Sequence, residues 1–370
     1  MTERVDLQEP VAPPGIELPP APAGGPVIHE SLLRIRLRLF RKAMRRNWRL
    51  FARNKIGLVG LGIILAFALV ALIHPLLMDR VWDPAVYHPV TGYDAVVREI
   101  TIVDEVTGDN QMTLADAQRN ANPFVKVGET ISIPNQPAQP SRTHWLGTDP
   151  LGRDILSQLM YSTRAAFALG AIAAIVTVFL ATTVGSVAAY YGGWIDSLLM
   201  RFADLVLLVP LIPVLIVVGA LFTLTLPLLG VLIGVLSGFG GVAIVLKSQA
   251  LSVTVKPFVD AARVAGGSNR HIIFRHIIPN VLPLSFLYMM FTVTEAIALE
   301  ATLSFLGLMN VQMSWGLMIN VAHSQGYLLS GTSYWWLLIP AGMAVTLLAA
   351  AFFLAGRAMD EVVNPRLRRR

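Results

Sequence analysis

The chain has 370 residues, of which 55% are hydrophobic and only 14% charged, with a mean hydropathy of +0.62. A soluble domain carries about 25% charged residues, so the composition excludes a disordered chain and argues against a water-soluble globule. There is no cysteine, which excludes disulfides, thiolate catalysis and cysteine-based metal sites, and the net charge of +6 reads as a topological marker rather than a nucleic-acid footprint.

Residues 1–30 hold seven prolines, among them Pro13-Pro14 and Pro19-Pro20, and predict a disordered cytoplasmic tail. No apolar run follows a short basic start, so the tail is not a signal peptide. Residues 31–55 carry ten basic residues and no acidic one. Leu33–Leu39 alternates with period two, a strand pattern. Ala43, Trp48, Leu50 and Phe51 among arginines favour a basic amphipathic helix on the inner leaflet over a strand or a nucleic-acid arm. The first span is expected over 56–78, with the ten preceding basic residues holding the N-terminus in the cytoplasm. Residues 79–160 carry 11 acidic and 6 basic residues and predict a small external insertion, with β-like runs at Ile100–Val106 and Val125–Ile133.

Two long stretches without a charge follow, 27 residues from Ala165 to Tyr191 and 42 from Leu205 to Leu246. A crossing needs roughly 20 helical residues, so these hold one span and two. The spacing predicts spans at Thr163–Tyr190, Ala203–Leu221 and Pro227–Leu246, with a turn at Gly192-Gly193 and a short amphipathic piece at Ile195–Phe202. A loop at 247–280 with five basic residues against Asp260 is placed in the cytoplasm. The fifth span is expected at Val281–Phe305, an uncharged external segment at 306–335, and the sixth span at Trp336–Ala355. The tail at 359–370 is basic and internal. The expectation is an all-α membrane protein of six transmembrane helices whose core covers 161–358.

Catalytic signatures are missing from the sequence. Where a phosphate loop would need its second glycine before Lys247-Ser248, Leu246 stands, so the backbone could not cradle phosphates there. His271 and His276 are five apart, about 140° on an α-helix, and are not expected to share a face. No G-x-S-x-G or H-E-x-x-H occurs, and no catalytic residue, metal or cofactor is expected. Glu295 and Glu300 are intramembrane carboxylates and hence pathway candidates. Glu300 also fits an interfacial position near the external end, and Glu295 a hydrogen bond inside the bundle. Arg164 begins the second span and is expected to snorkel to headgroups.

The loop at 257–279 is the most informative segment. Pro257 to Ala265 reads as a short helix with a small-residue face at Ala261, Ala262 and Ala265. Gly266-Gly267 breaks it, and Ser268 or Asn269 can cap a second short helix striped by Ile272, Ile273 and Ile277. Pro279 and Pro283 are then expected to start the next span. Spacing alone fits either a packed connector or a docking element.

Asp260-Ala261-Ala262, Gly266 and Ile278-Pro279 resemble the EAA loop of permease subunits of binding-protein-dependent ABC importers, with Asp260 for Glu and Ile278 for Leu. His144-Trp145-Leu146-Gly147-Thr148-Asp149-Pro150-Leu151-Gly152-Arg153-Asp154, Tyr191-Gly192-Gly193-Trp194-Ile195-Asp196, Leu303-Ser304-Phe305-Leu306-Gly307-Leu308, Trp315-Gly316 and Asn364-Pro365-Arg366 are similar to the dipeptide/oligopeptide branch, and Arg53-Asn54-Lys55 to its "C" subunit. The resemblance covers about 45–80 and 140–370, and leaves the insertion at about 85–140 unexplained. It implies a type I importer permease that forms half of a pore in a bacterial or archaeal cytoplasmic membrane, with both termini in the cytoplasm. It also implies a second homologous permease subunit, two cytoplasmic ATPase subunits, an external solute-binding protein and a peptide cargo, with no nucleic acid. Asp260, Ala261, Ala262, Arg263 and Gly266 would then dock the ATPase. The competing expectation is an ion-coupled secondary transporter using Glu295.

Overall fold

The computed structural model describes residues 38, 41–42, 45–46, 48–94, 97–108, 110–120 and 124–363. The proline-rich tail, the segment 31–37 and the last residues, 364–370, lie outside the described residues. The described positions between 38 and 48 are helical, and residues from Arg49 onward form a compact unit of their own.

That unit opens with α1, Lys55–Arg80, capped by Asn54, whose side chain accepts from Gly57 N at 3.0 Å. A single turn, α2 (Pro84–Tyr87), leads into a small α/β insertion. Its strands are β1 (Val97–Val103), β2 (Gln111–Thr113) and β3 (Thr130–Pro134), in the order β2-β1-β3. β1 runs parallel to β2 and antiparallel to β3, with Thr101 opposite Gln111 and Ile100 opposite Ile131. Ile102, Ala117 of α3 (Leu114–Asn120) and Val125 form its core. The strands lie a few residues from the runs expected, because Asp104 and Glu105 end β1 and Val125 is used as core before β3 begins.

The membrane bundle is built around α4, the 37-residue helix Ile155–Tyr191. It buries Leu169, Ala173, Thr177, Ala181 and Ala188, small or medium side chains on one long face. Next come α5 (Gly193–Leu208) and α6 (Leu211–Leu221), bent by 77°, then α7 (Leu226–Phe239) and α8 (Gly241–Thr254), bent by 45°. The first break differs from the expected boundary near Ala203. It falls at Pro210, which has no N–H to continue the helix and forces Val209 to an extended ψ of 118°. The second break is at Gly240, inside the expected fourth span. Among the described residues, four helices are long and apolar enough to cross a membrane, or up to six if each bent pair is one span.

After the short α9 (Pro257–Val264), α10 runs unbroken from Asn269 to Phe305. The sequence suggested a separate short helix ending at Pro279. Instead Ile273–Ile277 forms a π turn in which Ile278 N–H donates to Ile273 O. The wider turn absorbs the helix-disrupting Pro279 ring without ending the helix. It also corrects the expectation for the two histidines. In a π turn residues five apart come round to one side, and the His271 and His276 rings stand 5.5 Å apart.

The segment 306–335 holds more structure than its lack of charge suggested. α11 (Trp315–Ser324) carries Trp315, which is 1% exposed and donates from Nε1 to Leu159 O at 3.1 Å. α12 (Trp335–Val363) closes the bundle. Helices approach closely where side chains are small. Gly230, Gly234 and Gly238 form a stripe on α7 facing α4, and a Cβ built on Gly234 would lie 2.5 Å from Val176 Cβ and 2.9 Å from Ala173 O.

Candidate coupling loop and pathway face

α9 starts at Pro257, which suits the first helical position because its missing N–H has no partner there anyway. Val259 is fully buried and packs in a cluster with Val253, Ile272 and Ile277. Consecutive residues on a helix point about 100° apart, so burial of Val259 turns Asp260 and Ala261 outward. Ala262 is half-buried against the same cluster, while Arg263, Val264 and Ala265 are exposed. Of the two expected contact alanines, Ala261 is therefore fully presented and Ala262 only in part. Arg263 Nη1 lies 3.1 Å from Asp260 Oδ1, and both side chains are more than half exposed. A surface pair of this kind contributes about 0–1 kcal/mol, so both groups stay available to a partner.

Gly266 ends α9 at φ +78°, with no atom within 4 Å of a built Cβ. Gly267 N then donates to Ala262 O at 2.9 Å, and Ser268 Oγ accepts from His271 N at 3.3 Å to start α10. Tyr190, in the last turn of α4, ties both halves of this turn to the bundle. Its hydroxyl donates to Asn269 Oδ1 at 2.8 Å, and its ring lies 5.7 Å from the Arg263 guanidinium carbon. Lys247 of α8 pairs with Asp196 of α5 at 2.5 Å nearby. Tyr190 was not singled out from the sequence, where it stands as one more aromatic at a helix end. Its partners lie 73 and 79 positions away, and only the fold brings them near.

The two carboxylates of α10 part company. Glu295 is exposed on this chain and accepts from Ser237 Oγ at 3.3 Å. It lines a groove of about 480 Å³ whose other walls are Val206 and Leu211 beside the Pro210 break and Gly241 and Val242 beside the Gly240 break. Glu300 is only 4% exposed and accepts from Ser304 Oγ at 2.6 Å. Its side chain is turned into the protein. One carboxylate thus faces both helix breaks, and the other is satisfied in the interior.

At the opposite end of α4, the His144–Asp154 segment folds into a polar knot. His144 is fully buried, with Nδ1 2.9 Å from Asp154 Oδ2 and Nε2 2.9 Å from Asp94 Oδ2. Asp154 also caps α4 through Ser157 N at 2.7 Å. Asp149 accepts from Leu151 N, Arg153 N, Arg153 Nε and Gln158 Nε2. Gly147 and Gly152 supply positive φ at the two turns.

Hydrogen bonding to Asp154, opposed by burial and helped by Asp94, raises the His144 pKa above 6.5. Tyr87, whose ring lies 5.7 Å from His144, has its pKa raised by burial and by the same two carboxylates. Because the folded His144 pKa is raised, the knot has its full stability below the ordinary histidine pKa and loses it as pH rises through the raised value. Hydrogen exchange of amides 144–158 should therefore quicken as pH rises through that range, after correction for intrinsic exchange. The pH dependence should vanish in His144→Gln. His144→Ala should cost about 3 kcal/mol by stranding Asp154. A flat, pH-independent protection in the wild-type chain would refute the assignment.

Residues 181–369 match the family of the binding-protein-dependent transport system inner membrane component. Residues 42–89 match the N-terminal TM domain of oligopeptide transport permease C. The dipeptide transport system permease protein DppC of Bacillus subtilis (strain 168) is 34% identical over 254 residues, 67% of this chain and 77% of that protein. The oligopeptide transport system permease protein OppC of Haemophilus influenzae is 34% identical over 225 residues, 60% of this chain and 70% of that protein. The glutathione transport system permease protein GsiD of Pectobacterium atrosepticum is 31% identical over 231 residues, 62% and 75% of the two chains.

Proposed function

The chain belongs to the family of binding-protein-dependent transport system inner membrane components, and from that premise we propose that it forms half of the pore of an ATP-driven importer of small peptides. The relatives named for dipeptide, oligopeptide and glutathione transport support a peptide cargo. The single observation that carries the mechanism is the α9 turn, whose inner face is locked to Val253, Ile272 and Tyr190 while Asp260, Ala261, Arg263 and Gly266 lie exposed. A surface held so firmly from behind can pass a push from a docked ATPase straight to α4 and α10.

In this reading each bent pair is one span, giving six crossings. The basic segment at 31–55, the α9 loop at 257–279 and the tail at 359–370 lie in the cytoplasm, and the insertion at 79–160 lies outside. The first span occupies 56–78 and the permease core 161–358. The partners are a second homologous permease subunit, two cytoplasmic ATPase subunits and an external solute-binding protein, in the cytoplasmic membrane of a prokaryote. Glu295 and the breaks at Pro210 and Gly240 are assigned to the moving pathway face, since a groove lined by two helix breaks can change shape at little cost. Glu300 is assigned to bracing the α10 end near Ser304.

Reconstitution tests this directly. Peptide uptake into proteoliposomes should require ATP, the ATPase subunits and the binding protein together, and should fall to background when any one is omitted. Uptake driven by a proton gradient without ATPases, and abolished by Glu295→Gln, would establish the ion-coupled alternative instead.

A further inference from the structure

A second concave site lies at the insertion end of the bundle. It is a pocket of about 430 Å³ where the first third of α4, the start of α7 and residues 310–313 meet, within the size range of small-ligand sites. Its polar lining is Tyr161, Arg164, Thr225, Asn310 and Gln312, and no carboxylate lines it. Among the described residues Arg164 has no ion pair and no side-chain hydrogen bond, and neither has the Asn310 side chain. Tyr161 donates its hydroxyl proton to Gln312 Oε1 at 2.8 Å. That bond uses the Gln312 acceptor and leaves its amide N–H groups free. Thr225 precedes α7 without capping it through its side chain, so the first amides of that helix add to the same sign of potential. The pocket therefore offers a guanidinium and two amide donors with no anionic acceptor to match them. A group with two acceptor oxygens and a negative charge completes the set, and a guanidinium binds a carboxylate through two parallel bonds.

We infer that the Arg164 pocket is a receiving station for a substrate carboxylate, where Arg164, Asn310 and Gln312 hold the C-terminal carboxylate or an acidic side chain of the peptide as it leaves the binding protein. This rests on the importer reading and on its orientation, in which the insertion end faces outward. The bound peptide would lie along α4 and α7, and its passage inward would lead toward the Glu295 groove. A guanidinium at the mouth and a carboxylate, Glu295, deeper down suit a dipolar cargo.

The test uses the full complex in proteoliposomes with its binding protein, and compares uptake of trialanine, trialaninamide and Ala-Glu-Ala amide. The acid-to-amide uptake ratio in each variant is divided by the wild-type ratio, which cancels the binding protein's own preference. Arg164→Gln should lower that ratio about tenfold, the effect of losing one charge-assisted bidentate contact. Arg164→Lys should keep most of it, and Asn310→Ala should lower it a few-fold. A matching loss for Ala-Glu-Ala amide in Arg164→Gln would show that side-chain carboxylates use the pocket. Loss confined to trialanine would assign it to the C-terminus. If neither Arg164→Gln nor Asn310→Ala changes the ratio, Arg164 is only a headgroup anchor and the station does not exist. Should Arg164→Gln fail to assemble, Asn310→Ala decides alone. A wild-type complex that moves none of the three peptides would overturn the importer reading itself, a result distinct from an unchanged ratio.

Discussion

Gly266→Val is expected to abolish peptide uptake and binding-protein-stimulated ATP hydrolysis while leaving the chain in the membrane. The reason is confined to the backbone. Gly266 sits at φ +78° with open space around it, so valine meets no clash. A β-branched residue in the left-handed region is strained by about 1–3 kcal/mol. The turn relieves that strain most easily by unwinding, because α9 is only eight residues long. Unwinding moves Asp260 and Arg263 relative to Asn269, and the grip of Tyr190 on both is lost. Gly266→Asn is the control, since asparagine tolerates the left-handed region, and should keep most of the uptake. Uptake and ATPase assays on the two variants decide the matter. Normal transport by the valine variant would remove the α9 turn from the coupling path.

Gly234→Leu should strongly destabilise the bundle. The α7 stripe of Gly230, Gly234 and Gly238 lets its backbone lie against α4, and even a methyl at 234 would stand 2.5 Å from Val176 Cβ. With lipid outside, apolar burial gives little drive to helix association, and close packing supplies most of it. A leucine must push the two helices apart, which also breaks the bond from Thr177 Oγ1 to Gly234 O at 3.3 Å. The cost is about 3 kcal/mol or more, read as a lower unfolding temperature and lost yield of monodisperse protein in detergent. Gly62→Leu on α1 is the matched control. No atom lies within 4 Å of its built Cβ, so its stability should change by less than about 0.5 kcal/mol. Equal losses from the two variants would show that glycine content, and not the α4–α7 contact, governs the effect.

The two controls point to what could be read from the chain and what could not. The glycines at 230, 234 and 238 stand four apart, and that spacing is a packing signal visible in the sequence; nothing in the chain, however, says that α4 is the helix they meet. The break at Pro210 is also written locally, yet the expected boundary fell at Ala203 because hydropathy registers where charges stop and not where a helix bends. The π turn escaped notice because five residues from Ile273 to Ile277 look the same to any periodicity whether the turn holds three and a half residues or more. Its consequence, the approach of His271 to His276, reversed an inference that was sound for a regular helix.

The sequence by itself determined that the chain crosses a membrane several times, that its loop at 257–279 is basic and small-faced, and that no phosphate-loop motif occurs in it. These follow from transfer free energies and residue chemistry, which act locally and are read along the chain. Only the tertiary structure decided that Ala261 is exposed while Ala262 is half-buried, that Glu295 opens to a groove while Glu300 is buried, that His144 is clamped between Asp94 and Asp154, and that Arg164 stands without an ion-pair partner among the described residues in a pocket of donors. Each of these depends on partners tens of residues distant, brought together by the packing of α4 with α7, α8 and α10. A side chain's hydration, pairing and charge state are set by those neighbours in space, and no window along the chain contains them.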